Sequence, residues 1–248
     1  QLDVHEIHEA IREDTAIVSV MMANNETGVI YPIEEIAAIC RAKGVPFHTD
    51  AVQTPGKLKL DVKAMEVDFL SLSAHKLHAP KGIGLLYVRK GVSFQPYVMG
   101  GGQEQGRRGG TENVANIVAF GKAAEIAMAS LEDNLDRIRA LRDRMEGGIM
   151  DALDGVTRNG AKEPRLANTS NLSFANCEAE AILLLLDREG ICASSGSACT
   201  TGSLAPSHVL TAMGLTPELA ISAVRLSLSK YSTDEEVDHL LTKMPEII

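Results

Sequence analysis

Lys76 is the side chain with the clearest chemical use in this sequence of 248 residues. It follows DFLSLS (68–73), a short apolar run that predicts a buried strand, so the lysine falls at a strand end. A lysine amine has a pKa of about 10.4 and is a poor nucleophile at neutral pH, but partial desolvation allows a Schiff base with an aldehyde cofactor. Ser73 and His75 beside it are suited to binding a phosphate. Taken alone, the pattern is more typical of a solvated lysine in a loop, and the rest of the sequence is needed to favour the chemical role.

Polar side chains follow two other apolar runs. Asn25 comes after TAIVSVMMA (15–23), whose nearly unbroken apolar character predicts a strand covered on both faces, and Asp50 comes after VPFH (45–48). In a parallel sheet such strand ends converge on one ligand, although Asp50 alone also fits an ordinary turn or helix cap. Gln53 lies close enough to serve the same ligand if a helical turn begins here.

A glycine-rich segment, MGGGQEQGRRGGTEN (99–113), contains six glycines in fifteen residues. So much glycine favours close approach of the backbone over conformational restraint. One interpretation is a flexible surface loop. The other is an anion site or subunit contact formed by backbone amides with Arg107, Arg108 and Thr111.

Two further candidates lie in the last quarter of the chain. Cys199 stands among serines, threonines and glycines in SSGSACTTGSLAPSHVL (194–210), which is neither an apolar core nor a metal-binding spacing. A mobile loop carrying one reactive thiol, or an inert one, fits this context. Arg225 lies in the alternating strand AVRLSLS (223–229), either as an edge residue or as a fork that holds a carboxylate.

The elements that position these residues alternate between strand and helix, which predicts an α/β fold with a mainly parallel sheet. We place a domain boundary near residue 130, giving a large domain at 1–130 and a smaller α+β domain at 131–248. The segment 112–153 is predicted to be helical, with a long charged helix crossing between the domains. The other predicted elements are helices at 4–12, 32–44, 178–189 and from Thr233, and strands at 84–90, 155–158, 168–174 and 191–194.

Composition narrows the function further. The net charge of −9 argues against a nucleic-acid footprint, and no apolar run reaches the roughly 18 residues of a membrane span. The first residues show no signal-peptide pattern, so we expect a cytoplasmic protein. Four cysteines match no zinc spacing and are expected to be free thiols.

Taken together, six segments resemble one family, the pyridoxal-phosphate-dependent cysteine desulfurases of the NifS/IscS type, within the class V aminotransferase-like proteins. The segments are ANNETG (23–28), FHTDAVQ (47–53), SLSAHKLHAPKGIG (71–84), GGGQEQGRRGGTEN (100–113), SSGSACTTGSLAPSHVL (194–210) and VRLSLSKYSTDEEVD (224–238). They span nearly the whole chain in the family's order. The resemblance implies a fold-type I transferase that converts L-cysteine to L-alanine and passes sulfur to an iron–sulfur scaffold or another acceptor protein.

The resemblance also implies a role for each candidate. Lys76 would carry pyridoxal 5'-phosphate and move the substrate α-proton, and Cys199 would take the sulfur as a persulfide. Thr111 would reach the phosphate of the other subunit of a homodimer. The remaining roles are the pyridinium partner Asp50, the ring-hydroxyl partner Gln53, the phosphate ligands Ser73 and His75, and the substrate-carboxylate ligands Asn25 and Arg225.

One departure from the family is the expected absence of its opening section, which carries a glycine-rich phosphate turn and a histidine that stacks on the cofactor. A second polypeptide would then complete the fold, or the chain alone would bind cofactor weakly and have little activity. Two alternatives stay open. One is a selenocysteine lyase or related pyridoxal-phosphate enzyme, and the other is a non-catalytic fragment or interaction module.

Overall fold

The computed structural model describes residues 2–195 and 205–248. These residues form two compact units. The first unit comprises Leu2–Met22 and Pro32–Leu131, and the second comprises Ala23–Tyr31 and Glu132–Ile248. The division follows chain order except for Ala23–Tyr31, which belongs with the second unit.

A four-stranded sheet forms the centre of the first unit, in the order β1-β2-β3-β4. Its strands are β1 (Val18–Met21), β2 (Phe47–Asp50), β3 (Phe69–Ser73) and β4 (Gly84–Val88). β2 pairs in parallel with β1 and with β3, whereas β4 returns antiparallel to β3. The prediction of a mainly parallel sheet is therefore confirmed. The helices of this unit are α1 (Val4–Ala10), α2 (Ile33–Ala42), α3 (Val62–Met65) and α4 (Val114–Ala129).

Helix α2 shows why the sequence folds this way. Glu34 and Glu35 lie in its first turn, where carboxylates interact favourably with the helix dipole, and Gly44 adopts a positive φ of 69° just beyond its end. Its buried residues recur at helical spacing. Cys40 is among them and is fully buried, as the sequence predicts.

The prediction for β1 was wrong in one respect. The run 15–23 reads as a strand covered on both faces, but Ile17 just before β1 is 49% exposed and Ser19 is exposed. The reason is that, in the described residues, too little packs over the face that carries Ile17 and Ser19 to bury them, so β1 is not covered on both faces.

The second unit contains a four-stranded sheet in the order β5-β6-β8-β7. Its strands are β5 (Val156–Arg158), β6 (Thr169–Phe174), β7 (Ser194–Ser195) and β8 (Ala223–Ser227), all paired antiparallel. Three helices contribute apolar side chains to its core, and two shorter ones lie between β7 and β8 in the chain. The three core helices are α5 (Leu131–Ala152), α6 (Ala179–Arg188) and α9 (Asp234–Ile247). The two shorter helices are α7 (His208–Ala212) and α8 (Pro217–Ile221).

Three sequence expectations need adjustment here. The helical segment 112–153 divides into α4 and α5 at Ser130, whose Oγ donates to the Ile126 carbonyl at 2.9 Å instead of continuing one straight helix. The strand expected at 191–194 is reduced to β7. Arg225 is not an edge residue, because β8 lies between β6 and β7.

The cysteines are free thiols at Cys40, Cys177 and Cys192, as predicted, and Cys199 lies outside the described residues. Within residues 2–195 and 205–248, no three His, Cys, Asp or Glu side chains are grouped to hold a metal ion. Across the same ranges no single helix is both long and apolar enough to cross a membrane, and only α4 and α5 taken as a pair pass on length and composition.

A buried ion cluster holds α5 against the second sheet. Glu146 is 4% exposed and its carboxylate accepts hydrogen bonds from Arg165 at 2.6 and 3.0 Å, from Arg158 at 2.9 Å and from Ser170 at 2.7 Å. Burial raises the pKa of this carboxyl, but the hydrogen bonds from Arg165, Ser170 and Arg158 outweigh it and lower the pKa to about 2. The charge is therefore kept in the core because its partners are nearly complete.

We expect Glu146→Gln to destabilise the protein by about 3–5 kcal/mol, because it leaves the guanidinium of Arg165 buried without its counter-charge. Urea unfolding at neutral pH measures this change. Asp136→Asn is the matched control, since Asp136 lies on the same helix in an exposed pair with Arg139 and should have little effect. Equal effects of the two substitutions would show that the buried cluster contributes nothing special.

Candidate functional site

Lys76 lies where the sequence places it, directly after a central strand. Ser73 ends β3, and a short 3-10 helix, Ala74–Leu77, carries the lysine before His78 turns the chain with a φ of 62°. The lysine side chain is half-buried, and within the described residues it has no hydrogen-bond or ion-pair partner. A partly desolvated amine without a counter-charge is suited to covalent chemistry with an aldehyde.

Asp50 ends β2 and stands beside Met21 of β1 and Ser71 of β3 in the sheet register. Its Oδ1 accepts a hydrogen bond from the Val52 amide at 2.9 Å. The side chain is exposed, and in the described part of the chain no cation pairs with it. A carboxylate at this position is therefore available to a cationic ligand group.

The chain makes a tight turn directly after β2. The Thr54 amide donates to the Ala51 carbonyl at 3.0 Å, which brings half-buried Gln53 back toward the strand end. Lys57 Nζ bonds the Gln53 carbonyl at 3.0 Å and fixes the turn. The structure therefore has a hydrogen-bonded turn at Gln53, but no helix begins there as the sequence analysis had supposed.

Ser73 and His75 are brought together at the end of β3. Ser73 Oγ and His75 Nδ1 lie 2.7 Å apart and share a hydrogen bond. This bond uses one of the two protons of the neutral pair, so one donor remains for a phosphate, either Ser73 O–H or His75 Nε2–H, and a cationic imidazole would leave both.

In the glycine-rich segment two stretches of backbone lie in close contact, so it is not a loose surface loop. The Gly109 amide donates to the Val98 carbonyl at 2.8 Å, and a Cβ on Gly109 would lie 2.8 Å from the backbone of Gly100. Glycine is required here because two backbones touch. Thr111 follows directly, and its side chain is exposed, as are those of Arg107 and Arg108. These three exposed groups are available to a partner or an anion.

Asn25 and Arg225 meet in the second unit although 200 positions separate them. Arg225 Nη1 donates to the Asn25 carbonyl oxygen at 2.8 Å, and both residues are half-buried. The guanidinium fork is thus held on β8 by the loop that carries Asn25. This arrangement suits a carboxylate that approaches both residues.

Glu26 is a residue of this region that the sequence analysis missed. It is 3% exposed, and its Oε2 accepts a hydrogen bond of 2.6 Å from Ser207, which also caps α7. Its backbone is held as well, because Asn171 Nδ2 donates to the Glu26 carbonyl at 3.1 Å and Asn24 Oδ1 accepts from the Glu26 amide at 2.9 Å. A glutamate in a polar run reads as a surface residue, and only partners far along the chain reveal its burial.

Burial governs the ionisation of Glu26. It raises the pKa of the carboxyl, while the Ser207 hydrogen bond and the charges of His208 and Arg225 lower it by less. Arg225 therefore has an internal carboxyl neighbour as well as the fork it offers to a ligand.

The predicted site residues fall into three groups. Asp50, Gln53, Ser73, His75, Lys76 and Thr111 belong to the first unit, where the first five cluster at the ends of β2 and β3. Asn25 and Arg225 belong to the second unit and touch each other. Cys199 lies outside the described residues. The assigned roles stay predictions.

The first group fits a pyridoxal phosphate by its donor set. Among the residues that the structure describes, a carboxylate with no cation partner, a half-buried lysine with no anion partner and a serine–histidine pair stand at adjacent strand ends. Asp50 would pair with the ring nitrogen, Lys76 would take the aldehyde, and Ser73 with His75 would hold the phosphate. The residues present therefore match the needs of this cofactor.

Comparison with known proteins agrees with this reading. The family model described as aminotransferase class-V matches residues 1–240. Cysteine desulfurase 2 of Trichormus variabilis is 53% identical over 248 residues, which is all of this chain and 62% of that protein. The cysteine desulfurase of Gluconacetobacter diazotrophicus is 52% identical and the cysteine desulfurase NifS of Azotobacter vinelandii 49%, each with the same coverage.

Solved structures match as well. A chain titled NifS-like protein has a TM-score of 0.91 at 41% identity and covers 99% of this chain and 64% of its own. The X-ray structure of a NifS-like protein from Rickettsia africae has a TM-score of 0.90 at 33% identity, with coverage of 99% and 66%. These likenesses confirm the predicted fold class. The chain spans 62% of the length of the curated relatives named above.

We expect Glu26→Gln to change how stability depends on pH. The raised pKa means that the folded state holds this proton more tightly than the unfolded state, so the contribution of Glu26 to stability falls as pH rises above about 4.5. The free energy of unfolding of the wild type relative to Glu26→Gln should therefore decrease from pH 4.5 to 8. Urea titrations of both proteins measure it, and a difference that stays flat or grows would contradict the buried, proton-retaining carboxyl.

Proposed function

The chain belongs to the class-V aminotransferase family, and from that premise we propose that it acts as a pyridoxal-phosphate-dependent cysteine desulfurase. The proposal depends on one observation: within the described residues, half-buried Lys76 has no hydrogen-bond or ion-pair partner and Asp50 has no cation partner, and the two stand at the ends of neighbouring strands. Curated cysteine desulfurases about half identical over the whole chain support it. The reaction is the conversion of L-cysteine to L-alanine with transfer of sulfur.

Each residue has a defined task in this proposal. Bound pyridoxal phosphate supplies an electron sink for the bonds at the substrate α-carbon. Asp50 holds the proton on the ring nitrogen, Gln53 bonds the ring hydroxyl, and Ser73 with His75 binds the phosphate. Lys76 moves a proton from and to the substrate carbon.

Asn25 and Arg225 would bind the substrate carboxylate. Arg225, held by its bond to the Asn25 carbonyl, would bind the substrate carboxylate through its guanidinium group. Bidentate pairing of this kind orients the substrate as well as binding it. Asn25 adds an amide to the same carboxylate.

Sulfur transfer is assigned to Cys199. Its thiolate attacks the sulfur of bound cysteine, a sulfur–sulfur bond forms, and the carbon–sulfur bond breaks with its electron pair left on carbon. Protonation of that carbon gives alanine, and the sulfur stays on Cys199 as a persulfide. A free thiol with a pKa of about 8.5 is only slightly ionised at pH 7, so the site or the substrate must promote the thiolate.

The acceptor, assembly and location complete the proposal. We infer that an iron–sulfur scaffold or another sulfur-acceptor protein takes the persulfide sulfur, in keeping with a NifS relative. Thr111 is exposed directly after the glycine-rich segment. This exposure supports a homodimer in which Thr111 reaches the phosphate of the cofactor bound by the other subunit. A cytoplasmic location is part of the same proposal.

We expect Lys76→Ala to abolish covalent attachment of pyridoxal phosphate. The wild-type chain, mixed with cofactor and reduced with borohydride, should carry one adduct that peptide mapping places on Lys76. Lys81→Ala is the matched control, because this exposed lysine lies in the same segment and should leave the adduct intact. Intact-mass analysis of the purified sample also reveals any second polypeptide. Equal labelling of the Lys76→Ala protein would contradict the assignment.

We expect Cys199→Ala to lose alanine production from L-cysteine, because no thiolate is left to accept the sulfur. Cys192→Ala, which removes a free and exposed thiol, should retain it. Both variants are assayed with saturating cofactor and any polypeptide that co-purifies. Loss of cysteine turnover with retained selenium release from selenocysteine would instead favour a selenocysteine lyase.

A further inference from the structure

A hydrogen-bonded chain of three side chains crosses the sheet of the first unit. Ser19 Oγ lies 2.7 Å from His48 Nδ1, and His48 Nε2 lies 2.8 Å from Ser71 Oγ. The three residues come from β1, β2 and β3 in turn. Both ring nitrogens of one histidine are thus held by hydroxyls from the strands on either side, and the ring cannot turn without breaking one of the two bonds.

The strand register creates this chain. Ser19 is the direct partner of His48 across β1 and β2, and Ser71 is its diagonal neighbour across β2 and β3. Side chains two residues apart in a strand point to the same face, so Asp50 shares the face of His48. Asp50 is also the register partner of Ser71. The histidine chain therefore lies beside the carboxylate assigned to the cofactor.

Two opposing effects determine the pKa of the His48 imidazole. Burial lowers the pKa of the His48 imidazole, and the negative charge of Asp50 opposes this effect without overcoming it. Among the described residues, Asp50 is the charged group that acts on this pKa, while Ser19 and Ser71 are neutral. A serine hydroxyl donates or accepts, so the two serines satisfy either protonation state of the ring. Burial, rather than hydrogen bonding, lowers the pKa of the ring and so favours its neutral form.

We propose that His48 is a positioning residue for Asp50: fixed by its two serines and uncharged, it leaves the carboxylate as an unneutralised partner for the ring nitrogen of the cofactor. This inference rests on the proposed function for its cofactor part. A cationic imidazole on the same face would share the charge of Asp50 and repel a protonated pyridine ring. Protonation of His48 and binding of the cofactor therefore oppose each other.

The first experiment measures the coupling of His48 to Asp50 without any cofactor. The chain is labelled in its histidine rings, His48 is assigned by the signal lost in His48→Gln, and the ring is titrated by NMR. We expect a His48 pKa below the usual value of about 6.5 and a further fall in Asp50→Asn, because the favourable carboxylate is gone. An unchanged His48 pKa in Asp50→Asn would overturn the proposal. This comparison leaves the half-buried histidine intact, so it does not depend on whether His48→Gln folds well.

The second experiment measures the affinity for pyridoxal phosphate between pH 5 and 8, by fluorescence, in the wild type and in His48→Gln. Glutamine keeps a polar group but cannot become charged. Near pH 8 we expect the ratio of the two affinities to stay constant. Between pH 8 and pH 5 we expect the affinity of the wild type to fall about fivefold more than that of the variant, because a cationic His48 repels the protonated cofactor ring. His239→Gln, at an exposed histidine of α9, should follow the wild type.

The outcomes separate the two proposals. A ratio that stays constant across the whole pH range overturns the link between His48 and the cofactor. No binding of pyridoxal phosphate at any pH counts against the proposed function of this chain, while the NMR titration still decides whether His48 acts on Asp50. Ser19→Ala should leave the His48 signal broadened or shifted, since one of the two bonds that fix the ring is lost.

Discussion

The parallel pairing of β2 with β3 is the interaction on which the candidate site depends. Hydrogen bonds at both ends fix it: the Phe47 amide donates to Asp68 Oδ2 at 2.9 Å, and the Ala51 amide donates to the Ser71 carbonyl at 3.1 Å. In this register Asp50 stands beside Ser71, two residues before the end of β3. A slip of one residue would turn every side chain of β2 to the opposite face and separate the carboxylate from the serines.

Local patterns in the sequence predicted most of the elements. The apolar runs gave β2, β3 and β4, and the charges and glycine around α2 marked its ends. Thr233 and Glu236 form the capping box at the start of α9, as the threonine suggested. The strand-end logic also predicted where Asp50 and Lys76 would lie, because a parallel sheet gathers strand ends at one edge. These features depend on neighbours in the chain, which the sequence displays directly.

What the sequence could not predict depends on partners far along the chain. Glu26 reads as a surface glutamate until Ser207, 181 positions later, is found beside it. His48 reads as an ordinary strand residue until the register supplies serines on both sides. The edge position of β1 likewise follows from which strand lies next to it, not from its own apolar composition. The fold topology and the strand register determine which distant residues become neighbours. A single sequence reveals neither of them.

The exposed edge of β1 has a practical consequence for handling this chain. In the described sheet β1 is the end strand and pairs with β2, and Ile17, Val18 and Val20 place apolar, β-branched side chains along it, with Ile17 exposed and the two valines half-buried. Open strands of this composition template pairing between molecules. Self-association at high protein concentration is therefore expected to begin at this strand, and a lysine or proline placed there would serve as a gatekeeper.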